Sequence, residues 1–268
     1  MLYTEKNHTF AICAYKESPF LEECISSLLA QTVSSHIIIV TSTDNSYIRT
    51  ISEKYHLKLF INTGETGITQ DWMFAYKNAN TDLVTIAHQD DIYDPRYAER
   101  VLSNLSAASQ PLIAFTDYGE LREGTIVKNN KLLNIKRMML YPLRSKKLQN
   151  SIFIRRRILS LGCPICCPSV TFVKKNLPEQ IFFPGFRSDE DWQAWEILSR
   201  KHGAFVYCPE VSMYHRIHKD SETSVILGDS ARSVEDYQMF CKFWPKPIAK
   251  VLTKIYSTSE KSNELENT

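Results

Sequence analysis

Two adjacent carboxylates, Asp90 and Asp91, follow the apolar run Leu83-Val84-Thr85-Ile86-Ala87 within the stretch His88-Gln89-Asp90-Asp91. The run reads as a buried strand, so like charges gather at its mouth and cost energy unless a cation neutralises them. A hard divalent ion carrying a nucleotide diphosphate meets that need. Mg2+ and Mn2+ take oxygen ligands, use one or two protein carboxylates and leave other positions to phosphate and water. A turn bearing two solvated acids is the plain alternative, and one acidic cluster does not decide between them. Two further groups stand downstream: Ser188-Asp189-Glu190-Asp191-Trp192 opens an amphipathic segment, and His215-Arg216-Ile217-His218 follows it.

The elements that must position these groups alternate through the first half. Thr9 to Ala14 is predicted as a strand, followed by a helix with Ser18 as its cap, Pro19 at its first position and an end near Ala30. A second strand spans His36 to Thr41, a helix runs from about Tyr47 to His56, and a third strand covers Leu57 to Ile61. Gly67 breaks the chain before a helix carrying Trp72, Phe74, Ala75 and Ala79. After Leu83 to Ala87, Asp94-Pro95 caps a helix to about Ala108, and Pro111 to Thr116 is a fifth strand. Short apolar strands joined by helices imply an α/β fold with a mostly parallel sheet covered on both faces. Ligands of such sheets sit beyond the carboxyl ends of the strands. Ala14-Tyr15, Thr41 to Asp44 and Asp90-Asp91 all follow strand ends and are expected to converge on one crevice.

The second half is less regular. Lys146 to Ser160 reads as a basic helix, Ser169 to Lys174 as a strand, and Asp189 to Lys201 as a helix with Trp192 and Trp195 facing the core. After Ser230 a helical tail carries Phe240, Trp244, Ile248, Val251 and Ile255 before a polar end expected to be disordered. The tail docks on the domain or lies on a membrane.

With 268 residues, 43% hydrophobic and 23% charged, the chain is long enough to bury a substantial core. Its eight glycines and the lack of a G-x-x-x-x-G-K-[ST] or G-x-G-x-x-G pattern exclude the P-loop and dinucleotide fingerprints. The start has no apolar signal core and no run reaches membrane-span length, which makes a cytoplasmic protein the expectation. Seven scattered cysteines fit reduced thiols, and Cys163-Pro-Ile-Cys166-Cys167 lacks the second pair that a zinc site needs. Net charge is +2, yet residues 124–178 contain twelve Lys and Arg and no Asp or Glu. That block points to an anionic partner, such as a lipid-linked acceptor or the inner face of the cell membrane, or else to a solvated basic face. Nucleic acid is not expected, because no recognised binding motif is present.

On these residues the chain resembles glycosyltransferase family 2, inverting enzymes with a GT-A fold, over roughly residues 8 to 225. Phe10-Ala-Ile-Cys-Ala-Tyr-Lys-Glu17 and Leu21-Glu-Glu-Cys-Ile-Ser-Ser-Leu-Leu-Ala-Gln-Thr32 resemble its first strand and helix. Gly67 to Ala79, with Trp72, is similar to the helix before its metal strand, His88-Gln-Asp-Asp91 to its DxD-type motif, and Asp189-Glu-Asp-Trp192 to its Glu-Asp-Trp motif. The resemblance implies that Asp90 and Asp91 bind Mn2+ or Mg2+, that His218 binds that metal or a phosphate, and that Asp191 is the general base, with Glu190 the neighbour open to confusion with it. It also implies that Ala14, Tyr15, Glu17, Asp44, Gly67, Asp90 and Arg216 line the donor nucleotide, Arg216 pairing with phosphate. The chain departs from the family in having Ala14-Tyr15-Lys16-Glu17 for Pro-x-Asn-Glu, and Thr41-Ser42-Thr43-Asp44 for an acidic pair.

The expected architecture is a GT-A domain over residues 1–228, with a small antiparallel extension, and a helical tail over 229–268. The expected activity is inverting, metal-dependent transfer of a hexosyl or N-acetylhexosaminyl group from a UDP-sugar to a glycan, lipid-linked or cell-surface polysaccharide acceptor. The rivals are a nucleotidyltransferase, which the Gly-free first loop disfavours, and a catalytically silent glycan-binding protein.

Overall fold

Strand β1, His8–Ala14, is the hub of a nine-stranded sheet in the computed structural model, which describes residues 2–218 and 231–265. It pairs in parallel with His36–Thr41 (β2) on one side and Leu83–His88 (β4) on the other, and Lys58–Ile61 (β3) adds to β2. Alternate residues serve opposite cores, as a period of two requires. Ala11, Val84 and Ile86 face one hydrophobic cluster, while Phe10, Ile12, Leu83 and Ala87 face the other. Both clusters are closed by helices, which is why these strands are apolar throughout.

Beyond β4 the sheet changes direction. Val170–Val173 (β8) lies antiparallel between β4 and Pro111–Arg122 (β6), and β6 runs parallel to Ala204–Ile217 (β9). Ile92–Tyr93 (β5) joins β9, and Thr125–Val127 (β7) returns on β6 as a hairpin. This is the α/β fold expected, a mostly parallel sheet with an antiparallel extension.

Leu21–Leu29 (α1), Ser46–Lys54 (α2) and Tyr97–Ala107 (α4) cover the Phe10 face. Ile68–Asn78 (α3), Lys131–Leu140 (α5), Ile152–Leu159 (α6) and Glu190–Ser199 (α7) contribute to the Ala11 face. Ala231–Cys241 (α8) and Lys246–Leu265 (α9) pack on that same face through Met239, Phe240 and Ala249. The tail therefore docks on the domain. Residues 266–268, part of the end expected to be disordered, lie outside the described residues, and no described helix is long and apolar enough to cross a membrane.

Several expected boundaries move. Helix α1 starts at Leu21 rather than after Ser18, because the Ser18 carbonyl closes a turn by accepting from the Leu21 amide. Helix α4 starts at Tyr97, the Asp94 side chain being used on the Arg96 amide. Helix α6 starts at Ile152 under a Ser151 cap, later than Lys146, since the preceding residues form turns closed at Ser145 and Leu148. The basic block is not one face. Arg137 pairs with Asp117, Lys136 donates to the Tyr118 hydroxyl, Arg156 pairs with Glu196 and Lys174 donates to the Ala79 carbonyl. Arg155 is 1% exposed. Lys128, Lys131, Arg144, Lys146, Lys147 and Arg157 remain exposed.

Candidate active site

The crevice forms where β1, β2 and β4 end together. At the end of β4 the His88 ring stacks on Trp72 of α3, centroids 5.3 Å apart and 17° from parallel, and Trp72 rests on Phe182. A tight turn follows, in which the Asp91 amide donates to the His88 carbonyl at 3.2 Å. His88, Asp90 and Asp91 each then offer one ligand atom, all within 4.8 Å of one another, the one such group among the described residues.

Asp91 is fully buried. Its Oδ1 lies 3.0 Å from His215 Nδ1 and accepts from the Arg216 amide at 2.9 Å. Burial pushes the His215 imidazole down, but the Asp91 charge and hydrogen bond prevail and raise it to about 9, so His215 stands as a cation against the Asp91 carboxyl. Burial holds His88 below the ordinary imidazole value, leaving a neutral ring able to donate a lone pair. Asp91 Oδ2 and His88 Nε2 are buried with no hydrogen-bond partner. A buried carboxylate oxygen and a neutral imidazole nitrogen left open in one cluster fit a small hard cation.

Asp90 is half-buried, and its Oδ2 lies 3.1 Å from His218 Nε2. Burial pushes its carboxyl up, while His218 and the neighbouring imidazoles hold it below the usual range overall. The structure thus places His218 on Asp90, beside Asp91, while the atoms within ligating reach of one another belong to His88, Asp90 and Asp91. Residues 219–223 of the loop after His218 lie outside the described residues. Arg216 departs from its expected place over a phosphate. Its Nε donates to the Asp90 carbonyl at 2.7 Å, its guanidinium pairs with Glu23, and it lies 4.2 Å over the Phe20 ring. With these contacts Arg216, 7% exposed, braces the motif from beneath.

On the nucleotide side, Ala14 ends β1, and Tyr15 is 51% exposed. Gln89 clamps the Tyr15 peptide, its Oε1 accepting from the amide at 2.9 Å and its Nε2 donating to the carbonyl at 3.0 Å. Glu17 is exposed just beyond. Gly67 is required by its backbone, φ +141°, and a Cβ there would meet Gln70 Oε1 at 2.6 Å. Asp44 turns onto α2 and pairs with Arg49 at 2.6 Å. The acid at the β2 and β3 ends is Asp71, which accepts from the Ser42 hydroxyl at 2.6 Å and the Asn62 amide at 3.0 Å. Its signal in the sequence was its place in the first turn of the helix after Gly67.

Asp191 lies in the first turn of α7. Its Oδ1 accepts from the Trp192 amide at 2.6 Å, and its Oδ2 is 3.7 Å from Cys163 Sγ. Burial raises its carboxyl to about 6. Glu190 is 5% exposed, and Trp192 and Trp195 are fully buried core residues. Through Cys163 the loop 163–167 touches the α7 terminus. Burial pushes the Cys163, Cys166 and Cys167 thiols up, so they stay protonated and inert.

Charged residues anchor α7 at both ends. Glu235 of α8 accepts from the Arg187, Ser188 and Asp189 amides at 2.9, 2.8 and 3.3 Å, placing an anion at the helix N-terminus. Arg155 of α6 donates to the carbonyls of Ser199, Lys201 and Gly203 at the C-terminus. Both signs complement the helix dipole, and neither residue was singled out as a site element from sequence.

The model of glycosyl transferase family 2 matches residues 9–182. No curated protein sequence matches the chain. Among solved structures, S. aureus TarS 1-349 in complex with UDP-GlcNAc superposes with a TM-score of 0.61 at 13% identity, over 92% of this chain and 70% of that one. A longer S. aureus TarS chain gives 0.53 at 14% identity, with 92% of this chain covering 42% of it. Mannosyltransferase PcManGT from Pyrobaculum calidifontis, in complex with GDP-Man and Mn2+, gives 0.57 at 13% identity, over 95% and 70%. At these identities the likeness concerns the fold, which is GT-A-like.

Proposed function

Since the chain belongs to glycosyl transferase family 2 and is thus a glycosyltransferase, we propose that it transfers a sugar from a UDP-sugar with inversion and with Mn2+ or Mg2+. Family membership sets the nucleotidyltransferase alternative aside. The observation that carries this reading is the presence of two unlike acidic sites. One is a carboxylate and imidazole cluster with open buried ligand atoms, and the other is a carboxyl raised to about 6.

Asp90, Asp91 and His88 would hold the cation, with His218 completing the set or reaching a phosphate. A bound Mn2+ or Mg2+ would stabilise the charge that grows on the departing diphosphate. His215 holds Asp91 Oδ1 in place, and Arg216 fixes the turn from below. On the nucleotide side, Tyr15 offers an exposed ring to the base, and Asp71 takes the base-reading role first expected of Asp44. Asp191 accepts the proton of the acceptor hydroxyl on its carboxylate as that oxygen attacks the anomeric carbon from the face opposite the diphosphate. A base near 6 is ionised at neutral pH yet basic enough to take a proton. Glu190, buried behind it, positions the α7 terminus.

In this reading residues 1–228 are the catalytic domain and 229–268 its helical tail. The acceptor is a glycan, lipid-linked or cell-surface polysaccharide chain, in a cytoplasmic step of polysaccharide biosynthesis. The exposed cations of 124–178 favour an anionic or membrane-held acceptor. The test is transfer from a panel of UDP- and GDP-sugars to lipid-linked glycans, with and without Mn2+. Metal-dependent release of UDP with formation of the inverted glycoside supports the reading, and metal-independent transfer overturns its cation part.

A further inference from the structure

Gln89 belongs to two sites at once. It stands between His88 and Asp90, whose ligand atoms lie with one of Asp91 within 4.8 Å of one another. Its own carboxamide is engaged at the end of β1, where Oε1 accepts from the Tyr15 amide at 2.9 Å and Nε2 donates to the Tyr15 carbonyl at 3.0 Å. The two partners are 74 residues apart in the chain, so this clamp ties the cation turn to the loop that follows β1.

That loop needs holding. Tyr15, Lys16 and Glu17 are exposed and belong to no helix or strand. Lys16 has φ +54°, in the left-handed region that a residue with a Cβ disfavours and that persists only where neighbours impose it. The Gln89 clamp fixes the residue before it, and Thr43 Oγ1 accepts from the Lys16 amide at 2.6 Å. Thr43 is set in turn by the end of β2, its amide donating to Thr41 Oγ1 at 3.0 Å. The Thr43 contact thus rests on a strand, whereas the Gln89 contact rests on the turn that carries Asp90 and Asp91.

Adjacent carboxylates repel each other, and a cation held by His88, Asp90 and Asp91 relieves that repulsion and fixes the backbone on both sides of Gln89. With the turn ordered, closing the clamp costs less side-chain entropy, and the Tyr15 ring is presented in one place. We propose that Gln89 is a positioning residue that couples the nucleoside subsite to the cation cluster, each ligand strengthening the binding of the other. Linkage makes the effect reciprocal. A metal also meets a diphosphate directly, but a nucleoside has no phosphate, so any gain it draws from the cation passes through the protein. The proposal rests on the proposed function in one point, that the Tyr15 ring meets the donor base.

Uridine is therefore the probe, titrated calorimetrically into the full chain with and without Mn2+, for the wild type, Gln89→Met and Tyr15→Ala. Gln89→Met keeps the length of the side chain and removes both hydrogen bonds. In the wild type Mn2+ is expected to tighten uridine binding by about 5-fold or more, the lower end of ordinary coupling between sites. In Gln89→Met that ratio is expected to fall to about 1, and uridine binding in Mn2+ to weaken on the order of 10-fold, with the melting temperature unchanged. No Mn2+ effect in the wild type, or the same effect in Gln89→Met, overturns the proposal. Tyr15→Ala separates it from the reading it rests on. Uridine that does not bind the wild type, or that binds Tyr15→Ala equally well, removes Tyr15 from the base and the proposal with it. Uridine binding that weakens in Tyr15→Ala beside an undiminished Mn2+ effect in Gln89→Met overturns the coupling alone.

Discussion

His215 Nδ1 sits 3.0 Å from Asp91 Oδ1, at the far end of a strand that begins eleven residues earlier at Ala204. The contact divides labour between the two adjacent acids. Asp91 is fully buried and committed through Oδ1 to β9, whereas the Asp90 carboxylate is half-buried and meets His218. Asp90→Ala is therefore expected to lose metal-dependent transfer with little change in stability. Asp91→Ala is expected to lose both, destabilising the fold by roughly 2–4 kcal/mol because His215 and the Arg216 amide lose their buried acceptor. Urea unfolding of the two variants checks this, and equal midpoints would contradict the division.

Removal of divalent ions addresses the same cluster from the ligand side. Chelation is expected to abolish transfer, and Mn2+ to restore it in the wild type but not in Asp90→Ala. His218→Ala is expected to weaken Mn2+ affinity by roughly 10- to 100-fold, the usual cost of losing a group that orients or completes a metal site. Calorimetric titration of Mn2+ in the presence of UDP gives the value, and unchanged affinity would leave His218 as a phosphate contact only.

The first half of the fold was legible because β1 to β4 are short apolar strands separated by helices. Strand β9 was not, since Cys208-Pro209-Glu210 interrupts its pattern where the register against β6 shifts near Asp117. The second half of β6 was hidden for a related reason: Asp117 and Glu120 read as loop residues until Arg137 and Arg122 are seen to pair with them. Within the site, Asp90, Asp91, Asp191 and His218 could be reached from motif order. Gln89, Asp71, His215 and Glu235 owe their roles to partners 29 to 124 residues away, a distance at which spacing carries no signal. The Asp44–Arg49 pair is local, yet only the folded chain shows it.

Arg155 ties the C-terminal carbonyls of α7 to α6 while 1% exposed. Arg155→Met fits the space but leaves three carbonyls without their donor, at a cost of roughly 3–5 kcal/mol. Arg155→Lys is expected to recover only part of this, since one ammonium cannot reproduce the guanidinium fork. Thermal unfolding of the two variants measures it. A wild-type melting temperature for Arg155→Met would mean that the C-terminal anchor is dispensable.

As the proposed base, Asp191 would combine a cost in stability with a gain in function. Its carboxyl is raised to about 6 by burial, against 3.8 for an exposed aspartate. The group must be ionised to act as base, so kcat is expected to rise through about pH 6 and to level off above it. The sign for stability is opposite. Between the unfolded and folded values the native state holds a proton that the unfolded chain has lost, so stability falls as pH rises through that window. Asp191→Asn keeps the shape and removes the buried charge. It is expected to be as stable as the wild type at pH 8, or more stable by up to about 2 kcal/mol, while kcat falls by roughly 10²- to 10⁴-fold with donor affinity unchanged. Urea unfolding at pH 5 and pH 8, paired with single-turnover transfer, separates the two effects. Transfer at near wild-type rate by Asp191→Asn would move the base elsewhere, and Glu190→Gln would be the next variant to measure.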